Sequence, residues 1–268
     1  MGRVICISNQ KGGVGKTTTA VNLSACIALA ERRTLLIDMD PQGNASSGLG
    51  IRLPSSKPSA YNLLLGSGNR EELIVHTAID NLQLIPATQD LIGAEVELID
   101  LPDRESLLAK SLSPITAHYD YVFIDCPPSL GLVTLNALVA ADSVLIPIQC
   151  EYYALEGVGS LLNTIHRVIS AFNPNLTIEG FLLTMFDPRT NLSQQVVQDV
   201  RQNLGNQVFK TIIPRNVKLS ESPSFGKPVV LYDITSRGAL SYFALAKEII
   251  DAEDAADAAE TICLGAGS

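Results

Sequence analysis

The chain reads as an α/β protein, a doubly wound and mostly parallel sheet with helices on both faces. Three observations predict it. Short apolar runs alternate with longer segments of helical period along nearly the whole chain, and strands separated by helices pair in parallel. The runs Val4-Ile5-Cys6-Ile7, Leu35-Leu36-Ile37 and Val122-Phe123-Ile124 are apolar at successive positions, the pattern of strands covered on two sides. The first run empties into a glycine-rich turn ahead of a helix, the opening unit of such folds.

Each element follows from local pattern. Val4–Ser8 is the first strand and Thr17–Ala30 the helix leaving the turn. Thr34–Asp38 is a second buried strand. Pro41 to Ser59 is rich in Gly, Ser and Pro and is expected to be a loop with short turns. Leu82–Pro86 is a strand, Arg104–Ala117 a helix, Tyr121–Asp125 a central strand, Leu132–Ala140 a helix and Ser143–Ile148 a strand. Leu155–Phe172 is a long amphipathic helix, Ile178–Met185 a strand and Ser193–Leu204 a helix. A short strand at Thr211–Ile213, a brief Val217–Ser222 helix and a helix at Gly238–Ala252 complete the pattern. With 268 residues and no visible linker or repeat, 1–252 reads as a single domain. The segment 253–268 is Ala/Asp-rich and then Gly-rich, and is expected to fray.

The most informative stretch is Lys11-Gly12-Gly13-Val14-Gly15-Lys16-Thr17-Thr18. Glycines let backbone N–H groups crowd around phosphate oxygens, and the following helix aims its positive end at them. Lys16 is expected to supply a cation for the β- and γ-phosphates of a nucleotide triphosphate, and Thr17 a hydroxyl for Mg²⁺. The usual phosphate loop carries a glycine where Gln10 stands, and Lys11 follows it. Three carboxylates lie at or just past strand ends: Asp38, Asp40 and Asp125. Ligands of doubly wound folds sit beyond the carboxyl ends of the strands, so these acids should converge on the mouth that holds Lys16. Asp125 is expected to hold a Mg²⁺-bound water, with Asp38 supporting the ion's shell from behind. Asp40 is the candidate to orient the attacking water. A carboxylate titrating near pH ~4 is a poor base at neutrality, so positioning is its expected contribution.

Lys11 ahead of the paired glycines resembles the deviant Walker A loop. Together with Asp40-Pro41-Gln42-Gly43-Asn44, Asp125-Cys126-Pro127-Pro128-Ser129 and Ile213-Pro214-Arg215-Asn216-Val217-Lys218-Leu219-Ser220-Glu221, it is similar to the ParA/Soj family of chromosome- and plasmid-partitioning ATPases, over about residues 3–250. The short N-terminus resembles the chromosomal Soj type. The resemblance implies a fold and a cycle. ATP closes a dimer with two nucleotides sandwiched between subunits, and Lys11 reaches into the partner's nucleotide. The dimer binds double-stranded DNA without sequence preference, and a ParB/Spo0J-like partner stimulates slow hydrolysis and release. The same resemblance places Pro214 and Asn216 in the adenine-side loop, and Arg189, Arg215, Lys218 and Lys247 among the DNA-binding residues. Lys218 stands where relatives often carry Arg, which keeps the charge and loses bidentate phosphate geometry. Glu151, in Gln149-Cys150-Glu151, resembles a dimer-interface residue near the partner's ribose; it reads equally as a plain helix-start acid.

Charge bears on the DNA expectation. The chain is net −9, which argues against a simple nucleic-acid binder. Yet residues 189–247 hold eight Lys/Arg against three Asp/Glu, while 248–268 hold six acids and no base. A basic third inside an acidic protein can still present a basic face. Five scattered cysteines form no C-x-x-C pair, which fits a reducing cytoplasm better than disulfides or a metal. No signal-peptide pattern and no long apolar run are present, so the expected location is cytoplasmic, and nucleoid-associated by resemblance, with no membrane partner. Three alternatives share features with this reading. A membrane-cycling MinD-type ATPase shares the loop but needs a basic amphipathic end, where this chain is acidic. An iron-protein of the nitrogenase type needs paired bridging cysteines. A scaffold that holds nucleotide only structurally would not need Lys16, Thr17, Asp40 and Asp125 together.

Overall fold

The structure is a computed structural model that describes residues 2–54, 57–152, 154 and 156–265. The expected helix start at Leu155 and the tail residues 266–268 lie outside the described residues. The strands are β1 Arg3–Ile7, β2 Thr34–Asp38, β3 Val75–His76, β4 Leu82–Ile85, β5 Tyr121–Asp125, β6 Ser143–Gln149 and β7 Thr177–Thr184. They form one sheet in the order β3-β4-β2-β5-β1-β6-β7. All neighbours are parallel except the short edge strand β3, which runs antiparallel to β4. The α-helices are α1 Lys16–Leu29, α2 Asn44–Gly48, α3 Ala60–Leu64, α4 Arg70–Leu73, α5 Leu91–Glu97, α6 Leu107–Thr116, α7 Leu132–Ala140, α8 Glu156–Ala171, α9 Asn191–Leu204, α10 Val217–Glu221, α11 Val229–Tyr232 and α12 Arg237–Gly265.

Strand side chains alternate between two cores, as the period of two demands. Val4, Cys6, Leu35, Ile37, Val122, Ile124, Val144 and Ile146 face one layer, which α3 and α5 to α9 cover. Ile5, Ile7, Leu36, Tyr121, Phe123, Leu145 and Leu182 face the other, covered by α1, α2 and α10 to α12. This is why the strands read as unbroken apolar runs. The register places Ile7 opposite Asp125 and Asp38 opposite Asp125, so β1, β2 and β5 end level with one another. The functional mouth is built on that edge.

Gly50 and Gly226 mark a second constraint. Both are left-handed, at φ +76° and +62°, and a Cβ on Gly226 would stand 2.7 Å from the Gly50 Cα. Only glycine tolerates that crossing of backbones. It holds the end of the α2 loop against the turn after Ser222–Phe225.

Several boundaries differ from the sequence expectation. Thr211–Ile213 is not a strand. Ile213 N–H donates to Leu183, Phe186 N–H to Ile213 and Arg215 N–H to Phe186, but the left-handed Met185 (φ +52°) interrupts the regular spacing and leaves an isolated bridge at Phe186–Pro214. The expected loop from Pro41 to Ser59 contains α2, and α3 begins directly after it at Ala60. The last helix continues to Gly265, past the expected end at Ala252.

Candidate functional site: a phosphate loop beside a buried carboxylate without partners

β1 ends at Ile7, and the chain turns before α1 begins at Lys16. Two polar side chains staple the turn to neighbouring strands. Asn9 Nδ2 donates to the Pro147 carbonyl on β6 (2.7 Å), and its Oδ1 accepts from the Lys11 N–H (3.0 Å). The hydroxyl of Thr184, the last residue of β7, donates to the Val14 carbonyl (2.8 Å). Gly13 and Gly15 are left-handed at φ +73° and +92°. A Cβ on Gly13 would meet nothing within 4 Å, so conformation rather than crowding requires glycine there. That open space lies at the start of α1, a helix with no side-chain cap and no acid in its first turn. Its free N–H groups and dipole favour an anion.

Lys16 is buried at 7% exposure, and its Nζ donates to the Lys11 carbonyl across the loop (3.2 Å). Burial lowers its pKa, while Asp125, Cys126 and Asp40 pull it back up. Asp125 is fully buried, and neither carboxylate oxygen has a hydrogen-bond partner. The Thr17 hydroxyl is near enough to draw the Asp125 pKa down, but it does not complete a bond. Burial, then Asp38, hold that pKa well above the carboxylate range. Two partnerless oxygens in a buried site beside a phosphate loop fit a hard divalent cation. Among the described residues no three His, Cys, Asp or Glu side chains gather as a metal cage. Magnesium bound through one carboxylate, phosphates and water needs none.

Asp38 is placed differently from the sequence expectation of a second support for the ion. Its Oδ2 accepts from the Ser46 N–H (2.8 Å) and hydroxyl (2.7 Å), and its Oδ1 from the Asp40 N–H (3.2 Å). It anchors the loop that carries Asp40. Burial raises its pKa to about 6 against those bonds. Asp40 is 8% exposed. Its Oδ1 accepts from the Gln42 N–H (3.0 Å), and its charge is felt by both Lys16 and Asp125, raising the pKa of each.

Lys11 and Glu151 meet at the rim, with Nζ to Oε2 at 3.7 Å, both partly exposed. Glu151 also accepts from Gln149 Nε2 (2.5 Å). Beside the loop lies a cavity of about 430 Å³ lined by Gly15, Thr18, Met185, Pro214, Asn216 and Val217 among others. Asn216 Oδ1 accepts from the Lys218 N–H (2.9 Å) and so caps α10. The buried Tyr242 and Thr19 hydroxyls pair at 3.1 Å near the cavity. Sequence reasoning reached Pro214 and Asn216, and missed Thr184, Met185 and Asn9. A threonine ending an apolar strand was the visible signal for Thr184.

The four basic candidates are not one cluster. Arg189 grips Asp187 with Nε at 2.9 Å and Nη2 at 2.7 Å. That pair, with a smaller pull from Arg215, drops the Asp187 pKa to about 2. Arg189 and Arg215 therefore share one patch. Lys218 pairs with Glu221 (3.0 Å) and sits 5.4 Å from the Tyr232 ring centre. Lys247 pairs with Asp251 (3.3 Å), farther along α12 towards Glu253, which meets Tyr121 at the opposite, amino-terminal edge of the sheet. Among the described residues no helix is long and apolar enough to cross a membrane.

An AAA domain family profile matches residues 2–178. The chain is 60% identical to the chromosome partitioning protein ParA of Myxococcus xanthus, over 93% of this chain and 88% of that one. It is 55% identical to the sporulation initiation inhibitor protein Soj of Bacillus subtilis, over 93% of this chain and 98% of that one. A solved structure of cobyrinic acid a,c-diamide synthase from Mycobacterium smegmatis with bound ATP analogue and magnesium superposes with a TM-score of 0.80 at 39% identity, covering 92% of this chain and 93% of that one. The phosphate loop, the carboxylates beside it and the identity over nearly the full length agree, and the chain belongs to the ParA/Soj family of chromosome-partitioning ATPases.

Proposed function

We propose that the chain is an ATP-dependent switch for chromosome or plasmid partitioning. In this reading it binds ATP with Mg²⁺, closes a two-nucleotide sandwich dimer, and in that state binds double-stranded DNA without sequence preference. A ParB/Spo0J-like protein accelerates slow hydrolysis and releases it. The observation that carries the reading is the partnerless, buried Asp125 beside Lys16 at an open phosphate loop.

Each residue has a task in this cycle. The N–H groups around Gly12 to Thr18 bind the phosphates, and Lys16 neutralises the β- and γ-oxygens. Thr17 and Asp125 would hold a magnesium ion, which would supply charge neutralisation of the phosphates. Asp38 holds the Asp40 loop in place through Ser46. Asp40 orients the attacking water. Pro214 and Asn216 line the cavity that receives the base. Lys11 leaves its rim position beside Glu151 and crosses to the partner's phosphates. The buried site keeps bulk water away from the transferring group, so electrostatic stabilisation is strong there.

The testing experiment is Asp40→Ala. Hydrolysis should fall by about 10²–10⁴-fold, the usual contribution of a positioned acid–base group. ATP should then hold a long-lived dimer on DNA. Hydrolysis at the wild-type rate would overturn the role of Asp40.

A further inference from the structure

The two sides of α5 differ sharply. On the inner side Leu91 and Ala94 are buried in the core. The Glu95 carboxylate accepts from the N–H groups of Leu132 (2.8 Å) and Val133 (3.3 Å), the first turn of α7. That helix has no cap from its own N-cap residue, Gly131. A Cβ on Gly131 would collide with the Glu95 carboxylate, so the glycine is the opening through which Glu95 reaches. From Leu132 the chain runs back through Gly131, Leu130, Ser129, Pro128, Pro127 and Cys126 to Asp125. Consecutive prolines fix φ and make this a stiff connection.

The outer side is an apolar row. Ile92, Val96 and Ile99 recur at helical spacing and are 60%, 70% and 52% exposed, with Leu101 following at 40%. A helix that faces only water carries polar residues there. Apart from the inward Glu95, the rim is acidic: residues 90–105 hold Asp90, Glu97, Asp100, Asp103 and Glu105 against Arg104, with Lys110 paired to Asp103. That charge selects the occupant. DNA and anionic lipid are repelled. A second copy of the same face would bring acid against acid. An amphipathic segment with its apolar side flanked by Lys and Arg satisfies both the row and the rim.

We propose that α5 is the docking face for a basic amphipathic segment of a partner protein, and that Glu95 conveys the docking to the loop carrying Asp125. Naming that partner as the activator of hydrolysis rests on the partitioning reading; the docking face itself does not.

The test uses a synthetic Leu/Lys amphipathic peptide and a Leu/Glu peptide of the same spacing, titrated into the full chain. The Leu/Lys peptide should bind, and the Leu/Glu peptide should not. Val96→Glu and Ile92→Glu should each weaken the Leu/Lys peptide by about tenfold or more, the loss expected for one buried branched side chain. Both variants should melt with the wild type, since both positions face water. Hydrogen exchange should show altered protection at 126–133 when the peptide binds. Glu95→Ala should abolish that change and leave peptide affinity intact. Equal affinity in wild type, Val96→Glu and Ile92→Glu would overturn the docking face. So would nucleotide-free self-association of the wild type that Val96→Glu disperses, because the row then belongs to a second copy. Peptide binding without any change at 126–133 would overturn the Glu95 link. A chain that binds the peptide but no ATP would remove the partitioning reading and leave the docking face standing.

Discussion

Asp38 and Asp125 stand directly opposite each other in the register of β2 and β5, yet their oxygens have opposite fates. Ser46 and the Asp40 N–H occupy those of Asp38, whereas those of Asp125 have no hydrogen-bond partner. One carboxylate builds the site and the other is held open for a ligand.

Asp125→Asn should therefore stabilise the nucleotide-free protein, because it removes a buried charge without a compensating bond. Melting temperature should rise by several degrees, at about 2–4 °C per kcal/mol for a domain of this size. The same variant should lose the extra thermal shift that magnesium adds to ATP. An unchanged magnesium-dependent shift would move the ion to another residue.

Stability should also depend on pH through Asp38, whose pKa is raised from 3.8 to about 6 by burial. Below the unfolded value both states carry the proton, and this group is then neutral in its effect. As pH rises from about 4 to about 6 the unfolded chain ionises first, so stability falls across that window. Asp125 is shifted in the same direction. Urea midpoints for wild type and Asp38→Asn should diverge as pH is raised, with the variant less sensitive. Parallel pH profiles would refute the burial argument.

Lys11→Ala should separate binding from assembly. Its backbone stays held by Asn9, and its side chain contacts only the rim residue Glu151 among the described ion pairs. The variant should bind ATP with near wild-type affinity and remain monomeric by sedimentation. A normal ATP-dependent dimer would remove the cross-subunit role of Lys11. Lys16→Ala, by contrast, should lose stable ATP binding.

DNA binding should need ATP and fall steeply with salt, with each phosphate contact adding about −0.9 to the slope of log K against log salt. Arg215→Ala and Arg189→Ala should each weaken it, since the two share the Asp187 patch. Arg189→Ala is the cleaner probe. Arg189→Glu would add a charge beside Asp187, and Arg215 lines the cavity beside the phosphate loop. Lys247→Ala should have little effect, because that residue lies far along α12. Undiminished DNA binding in the double Arg189→Ala, Arg215→Ala protein would relocate the surface.

Six strands were legible because each carries apolar residues to both cores and several end in a chemically distinctive residue; β3, two residues that reach neither core, was not. The phosphate loop was legible for the same reason: Lys16, Thr17 and the glycines serve no packing need. What escaped was mostly held by tertiary contacts. α2 contains Asn, Ser and Gly and owes its place to the Asp38–Ser46 bonds. α5 carries Gly93 and no side-chain cap at its start, so local signals were weak. The sequence pattern assigns Asp38 a supporting role behind Asp125, but its bonds to Ser46 and to the Asp40 N–H were not visible, since both acids end apolar strands in the same way. Only the position of Ser46 tells them apart.

The crossing of Gly50 and Gly226 has a consequence for how the protein can vary. A side chain at either position needs room that only the other backbone could yield. Neither site should therefore tolerate a side chain, alone or together with the other, and sequence libraries should show both depleted of every other residue despite their wide separation along the chain. The crossing also joins the segment that follows the Asp40 loop to the turn that follows the cavity-lining residues Pro214 and Asn216. A displacement on either side is passed to the other without any side chain to absorb it, so the Asp40 loop and the wall of the cavity should move as one.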